Sequence, residues 1–107
     1  KINSFILRHQ VLIDFPSKEL RNIVDQSKKD IKEGIVVAFS TLEGKVGIAV
    51  GVTKKLTKNY DAVSLVKIAS KILGGKGGGG RKDFAQAGGI NNKKIDEAFK
   101  EVNKKIS

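Results

Sequence analysis

Residues 46 to 52 alternate Val-Gly-Ile-Ala-Val-Gly-Val, with a branched side chain at every even position and at most a methyl group at every odd one. Successive side chains of a strand point to opposite faces, so this segment reads as a strand with one apolar face and one almost bare. A bare face lets a helix or another backbone approach closely, and helix packing is the simpler use of it. The run just before it, Ile35-Val36-Val37-Ala38-Phe39-Ser40, is apolar without alternation, as expected for a strand buried on both faces. Glu43-Gly44 between the two supplies hairpin turn chemistry.

Around this hairpin the spacing predicts helices. Pro16 and Ser17 open a first one, whose stripe is Leu20, Ile23, Val24, Ser27 and Ile31 and which Gly34 ends. Asp61 is placed to cap a second, with Ala62, Leu65, Val66, Ala69, Ile72 and Leu73 inward, Lys67 and Lys71 outward, and Gly74-Gly75 as its stop. A third, capped by Asn91 or Asn92, turns Ile95, Ala98, Phe99, Val102 and Ile106 inward and Lys93, Lys94, Lys100, Lys104 and Lys105 to water. Two further strands are expected. One opens the chain over residues 3–8, although Val11-Leu12-Ile13 offers a second apolar cluster; the other is Phe84-Ala85-Gln86-Ala87, closed by Gly88-Gly89. The expectation is an α/β fold: a mixed sheet of about four strands with three helices, in the order β-α-β-β-α-β-α, forming one domain over residues 1–107.

A chain of 107 residues can bury a core that needs no cross-links. The absence of cysteine excludes disulfides and thiolate metal sites, and a reducing, cytoplasmic location is the expectation. The longest apolar run falls far short of the ~20 residues that span a bilayer, and no signal-peptide pattern opens the chain, so a soluble protein without a membrane partner is expected. The start at Lys1, without methionine, suggests a domain cut from something longer. Charge points to the partner class: 21 basic against 11 acidic side chains give +10, which favours polyanions through counterion release. Residues 1–53 hold 8 basic and 6 acidic side chains and residues 54–107 hold 13 and 5, which places the expected anion-facing surface in the second half.

That half contains Gly74-Gly75-Lys76-Gly77-Gly78-Gly79-Gly80-Arg81-Lys82, which gathers six of the twelve glycines and three cations. Such a segment exposes backbone N–H groups with no side chains in the way, so that phosphates or a nucleic-acid backbone can come close. A literal G-x-G-x-x-G occurs at Gly75, Gly77 and Gly80, but it follows a helix and precedes a strand, the reverse of the dinucleotide fingerprint. No Gly-Lys-Ser/Thr is present in the segment, which excludes a P-loop.

Residues 74 to 89, Gly-Gly-Lys-Gly-Gly-Gly-Gly-Arg-Lys-Asp-Phe-Ala-Gln-Ala-Gly-Gly, resemble the signature of the DHH-associated domain that closes bacterial alanyl-tRNA synthetases. Phe15-Pro16-Ser17-Lys18-Glu19-Leu20-Arg21, the strand pair over residues 35–52 with Val50-Gly51-Val52-Thr53, and the helix over residues 61–73 resemble that domain in order and spacing. In phosphoesterases that carry the same accessory domain, the glycine run typically ends in a histidine followed by an Ala-Ala-Gly strand. Arg81 and Gln86 stand here instead, which favours the synthetase branch.

The resemblance implies a non-catalytic C-terminal domain of an alanine–tRNA ligase, similar to those that grip the outer corner of tRNA and help join aminoacylation to editing in protein synthesis. Carried over position by position, Gly77, Gly78, Gly79 and Gly80 with Lys76, Arg81, Lys82 and Gln86 become the candidate RNA contacts. The implied partners are tRNA(Ala) and the other domains of the parent enzyme. ATP, magnesium and zinc are implied only for those other domains, and the dimerising helical segment of the family lies outside this chain, which is expected to be monomeric and inactive alone. Two readings share the resemblance: the substrate-binding domain of a DHH-type phosphoesterase, and the appendage of a free-standing hydrolase that edits mischarged Ala-tRNA.

The remaining residues add no catalytic chemistry. His9, the single histidine, has no metal-ligand or triad pattern beside it and reads as a surface or loop residue. Asp96-Glu97 sits on a lysine-rich helix, where ion pairs such as Glu97 to Lys100 account for it. Phe5, Phe39 and Phe99 fall in apolar patterns and Phe15 beside Pro16, so Tyr60 and Phe84 are the aromatics left to stack on bases. Recognition of RNA shape and backbone is expected over base-by-base reading. A protein-interaction module with incidental charge would bind no nucleic acid at all.

Overall fold

Glu43 and Gly44 both take positive φ, 52° and 81°, as the two-residue turn of a tight hairpin requires. The computed structural model describes residues 6–31, 33–75 and 78–106. In chain order these form β1 (Ile6–Ile13), α1 (Leu20–Ile31), β2 (Gly34–Leu42), β3 (Lys45–Val52), α2 (Ala62–Ile72), β4 (Gly78–Gly80), β5 (Phe84–Gly89) and α3 (Ile95–Ile106). One sheet in the order β1-β2-β3-β5-β4 holds all five strands. β1 runs parallel to β2, joined to it through α1, and the other neighbours are antiparallel.

The alternation in β3 sorts the two layers. Val46, Ile48, Val50 and Val52 join Ile35, Val37 and Phe39 of β2 in the larger core, against Leu65, Val66 and Ala69 of α2 and Ala98 and Val102 of α3. On the bare side, Ala49 meets Val36 and Ala38 of β2 and Leu20, Val24 and Ile31 of α1. A Cβ at Gly51 would run into the Val24 side chain and the Lys28 stem, so the missing side chain is what lets α1 lie on the sheet. Asp61 caps α2 by accepting a hydrogen bond from the Val63 N–H at 2.9 Å. Asn91 accepts one from the Lys93 N–H at 3.2 Å, ahead of α3.

Four expectations change. The opening strand is Ile6–Ile13 and takes in both apolar clusters; residues 3–5, Phe5 among them, lie outside the described residues. Pro16-Ser17 leads into a single 3-10 turn, Ser17–Glu19, and the α-helical run starts at Leu20. The sheet gains a fifth strand, β4, because three glycines of the loop pair with Ala85, Gln86 and Ala87; glycine carries no side-chain pattern by which a strand announces itself. On α3 the i,i+3 ion pair recorded is Lys104 with Glu101, at 3.2 Å, and not Glu97 with Lys100.

His9 lies at the surface, as expected, in the middle of β1. Its ring stacks on Phe99 at 3.8 Å between centroids and meets Phe39 edge-on at 5.8 Å. Burial lowers its pKa below the ordinary 6.5, partly opposed by the Asp96 carboxylate. The folded state therefore binds this proton less readily than the unfolded one, and stability falls as pH drops below about 6.5, levelling off beneath the folded-state value. Thermal melts between pH 7.5 and 5 should show that loss, and His9→Phe should reduce it.

Candidate nucleic-acid interface

The connection from β4 to β5 is a two-residue hairpin. The Arg81 N–H donates to the Phe84 carbonyl at 2.7 Å and the Phe84 N–H to the Arg81 carbonyl at 3.3 Å, leaving Lys82 and Asp83 at the tip. The tip is anchored through its carbonyls. That of Lys82 accepts from the Ala62 N–H at the start of α2 (3.0 Å), and that of Asp83 from the Val52 N–H at the end of β3 (2.9 Å). The Asp83 carbonyl also accepts from Lys28 Nζ of α1 at 3.0 Å. The main chain of the hairpin tip is thus tied to three other elements through Lys82 and Asp83 while the Arg81 and Lys82 side chains stand exposed, so little backbone ordering is left to oppose a ligand. Arg81 Nε lies 3.4 Å from Asp83 Oδ1, an exposed pair that adds little to stability.

Beside this hairpin, β4 ends the sheet, and its outer peptide groups have no strand to pair with among the described residues. A Cβ at Gly79 would meet nothing within 4 Å, whereas one at Gly78 or Gly80 would collide with β5. Gly80 also holds a φ of 151°, which L side chains rarely adopt. Gly79 faces the same side as Gln86, its cross-strand neighbour. This is the α1 side, where α1 packs on β2 and β3 and leaves β4 uncovered, while α2 backs β4 and β5 from the other face. The result is an open strip of bare backbone next to two fixed cations.

The hairpin forms one wall of an open depression of about 770 Å³. Arg81 and Lys82 face Lys28 and Lys29 of α1 and Lys54 of the 3-10 turn that follows β3, with Thr53 and Thr57 between them. These five cations are accompanied by two carboxylates, Asp25 and Asp83. The net positive field favours a polyanion.

Of the eight residues expected from sequence, the structure brings Gly78, Gly79, Gly80, Arg81 and Lys82 together at the edge strand and its hairpin. Gln86 shares their sheet face without lining the depression, and Lys76 and Gly77 lie outside the described residues. Sequence reasoning passed over Lys28, Lys29 and Lys54, because the first half of the chain is nearly balanced in charge. Their signal was the Lys28-Lys29 pair closing α1 and the Lys54-Lys55 pair after β3, which matters only once β3 is known to pair with β5.

The two aromatics left for stacking are otherwise engaged. Phe84 is 8% exposed, with the Arg21 guanidinium 5.2 Å above its ring. Tyr60 is partly buried against the larger core and donates its hydroxyl to the Ile106 carbonyl at 3.0 Å. Neither offers a free face for a base, which leaves backbone contacts as the chemistry of this surface. Among the described residues no three His, Cys, Asp or Glu side chains converge as a metal site would need. No described helix is long and apolar enough to cross a membrane.

Residues 6–107 match the family model of the DHHA1 domain. The chain belongs to the DHHA1 domain family. Within it, the fold superposes on the C-Ala domain of Aquifex aeolicus alanyl-tRNA synthetase with a TM-score of 0.91 and 32% identity, covering 100% of this chain and 96% of that one. The alanine–tRNA ligase of Hyphomonas neptunium is 48% identical over 101 residues, 94% of this chain and 12% of its own length. That of Parvibaculum lavamentivorans is 52% identical over 86 residues, 79% and 10% respectively. This DHHA1 domain therefore spans about a tenth of the curated relatives it matches. RecJ of Thermus thermophilus, at 14% identity and a TM-score of 0.63, shares the fold over 90% of this chain and 14% of its own.

Proposed function

We propose that this DHHA1 domain is the C-terminal domain of an alanine–tRNA ligase and that it holds tRNA(Ala) by its sugar-phosphate backbone. The observation that carries the reading is the anchored Lys82–Asp83 hairpin, which presents Arg81 and Lys82 beside a glycine strand with an open face. Two charged donors bond phosphate oxygens, and the bare strand lets the ribose-phosphate chain come within reach of main-chain N–H groups. Contacts of this kind fix register and orientation and carry little base information, so the domain contributes grip while the parent's other domains contribute selection. The adenylate-forming and editing chemistry, with its ATP, magnesium and zinc, belongs to those other domains, and this chain is a monomeric, non-catalytic, cytoplasmic part of protein synthesis. Identities of 46–52% to alanine–tRNA ligases support this reading over the phosphoesterase one, which rests on a likeness of fold.

Gly79→Leu tests the role of the bare strand. Because a Cβ there meets nothing within 4 Å and the face beyond it is open, the melting temperature should stay unchanged. Affinity for tRNA(Ala), read by fluorescence titration, should nonetheless fall about tenfold or more, ~1.4 kcal/mol, as the isobutyl group keeps the RNA backbone off the strand. Unchanged affinity in a folded variant would remove the glycine edge from the interface.

A further inference from the structure

The depression beside the hairpin carries more positive charge than the fold needs. Asp25 lies 3.9 Å from Arg21 and Asp83 lies 3.4 Å from Arg81, and among the described residues no carboxylate pairs with Lys29, Lys54 or Lys82. Cations gathered from three separate elements around one opening repel each other, so the arrangement costs stability and is not explained by packing. Its volume, about 770 Å³, suits a body the size of a nucleotide.

We propose that this depression extends the RNA-backbone site of the hairpin, with one stretch of phosphodiester lying between Lys29 and Lys54 on one wall and Arg81 and Lys82 on the other. Asp83 is its built-in counter-ion, which the entering phosphate displaces from Arg81. The inference rests on the tRNA-binding reading and extends it to residues in the first half of the chain. Lys28 is a positioning residue here, since its ammonium ties α1 to the Asp83 carbonyl and thereby holds the two walls together.

The test is titration of tRNA into the 107-residue chain at several salt concentrations, with three variants. Lys29→Ala with Lys54→Ala should weaken binding and make the slope of log K against log salt shallower by about 2, one per lost phosphate contact, with the melting temperature unchanged or raised. Asp83→Asn should tighten binding roughly two- to fivefold, the worth of an exposed ion pair. Lys100→Ala with Lys105→Ala on α3 removes the same charge elsewhere and should leave the slope as it is.

If the wild-type chain binds and the Lys29 and Lys54 pair changes neither affinity nor slope, the depression does not take RNA and the inference fails while the hairpin reading stands. An equal effect from the α3 pair would reduce the depression to bulk charge and also overturn it. Unchanged or weakened binding by Asp83→Asn would refute the counter-ion role. Absence of binding by the wild-type chain at low salt would instead overturn the tRNA reading itself.

Discussion

Replacing Arg81 and Lys82 together by alanine is expected to weaken tRNA binding about ten- to a hundredfold, ~1.4–2.8 kcal/mol. Each side chain stands exposed on a main chain already fixed by the Phe84, Ala62 and Val52 hydrogen bonds, so each charged contact to a phosphate is made without ordering the backbone first. A hydrogen bond to a charged group contributes about 1.5–3 kcal/mol, less the screening that an exposed site suffers. The double variant should also flatten the salt dependence by about 2. Its stability should barely move, because the Arg81–Asp83 pair it removes is exposed and worth under about 1 kcal/mol. Loss of binding with an unchanged melt would separate an RNA contact from a folding defect.

The largest stability effect is expected at Phe39. Its side chain is fully buried among the β2, β3 and α2 residues of the larger core and meets His9 edge-on. Phe39→Ala would remove the transfer energy of the ring and leave a cavity, at a cost of about 3–5 kcal/mol. Against the ~5–15 kcal/mol that holds a domain of this size together, that is a large fraction. Chemical denaturation followed by circular dichroism should show the midpoint shift, with the slope unchanged. A loss below about 1 kcal/mol would mean that Phe39 is not at the centre of the core.

Much of this fold was legible because large and absent side chains carry strong geometric information. The valines of β3 and the glycines between them predicted both a core face and a face for close approach, and Val24 and Lys28 of α1 occupy the space that a Cβ at Gly51 would need. Asp61 was read as a cap and accepts the Val63 N–H. The glycine edge strand was missed for the opposite reason, since Gly78, Gly79 and Gly80 pair through backbone alone. His9 was legible as a surface residue, but a single polar residue between apolar clusters gives no sign of the Phe99 ring that a helix more than eighty residues later brings against it. The candidate site was half legible. Arg81 and Lys82 adjoin the glycines in sequence, whereas Lys28, Lys29 and Lys54 reach the same opening only through the packing of α1 on β3 and the pairing of β3 with β5.

The account's central claim is that the domain binds tRNA through its phosphate backbone, and the measurement that tests it most directly is the affinity of the unaltered chain for tRNA between about 50 and 200 mM monovalent salt. The account predicts measurable binding at the low end and a linear fall of log K with log salt, of slope between about −2 and −5, for two to five neutralised phosphates. A slope near zero, or no binding at the lowest salt, would contradict it.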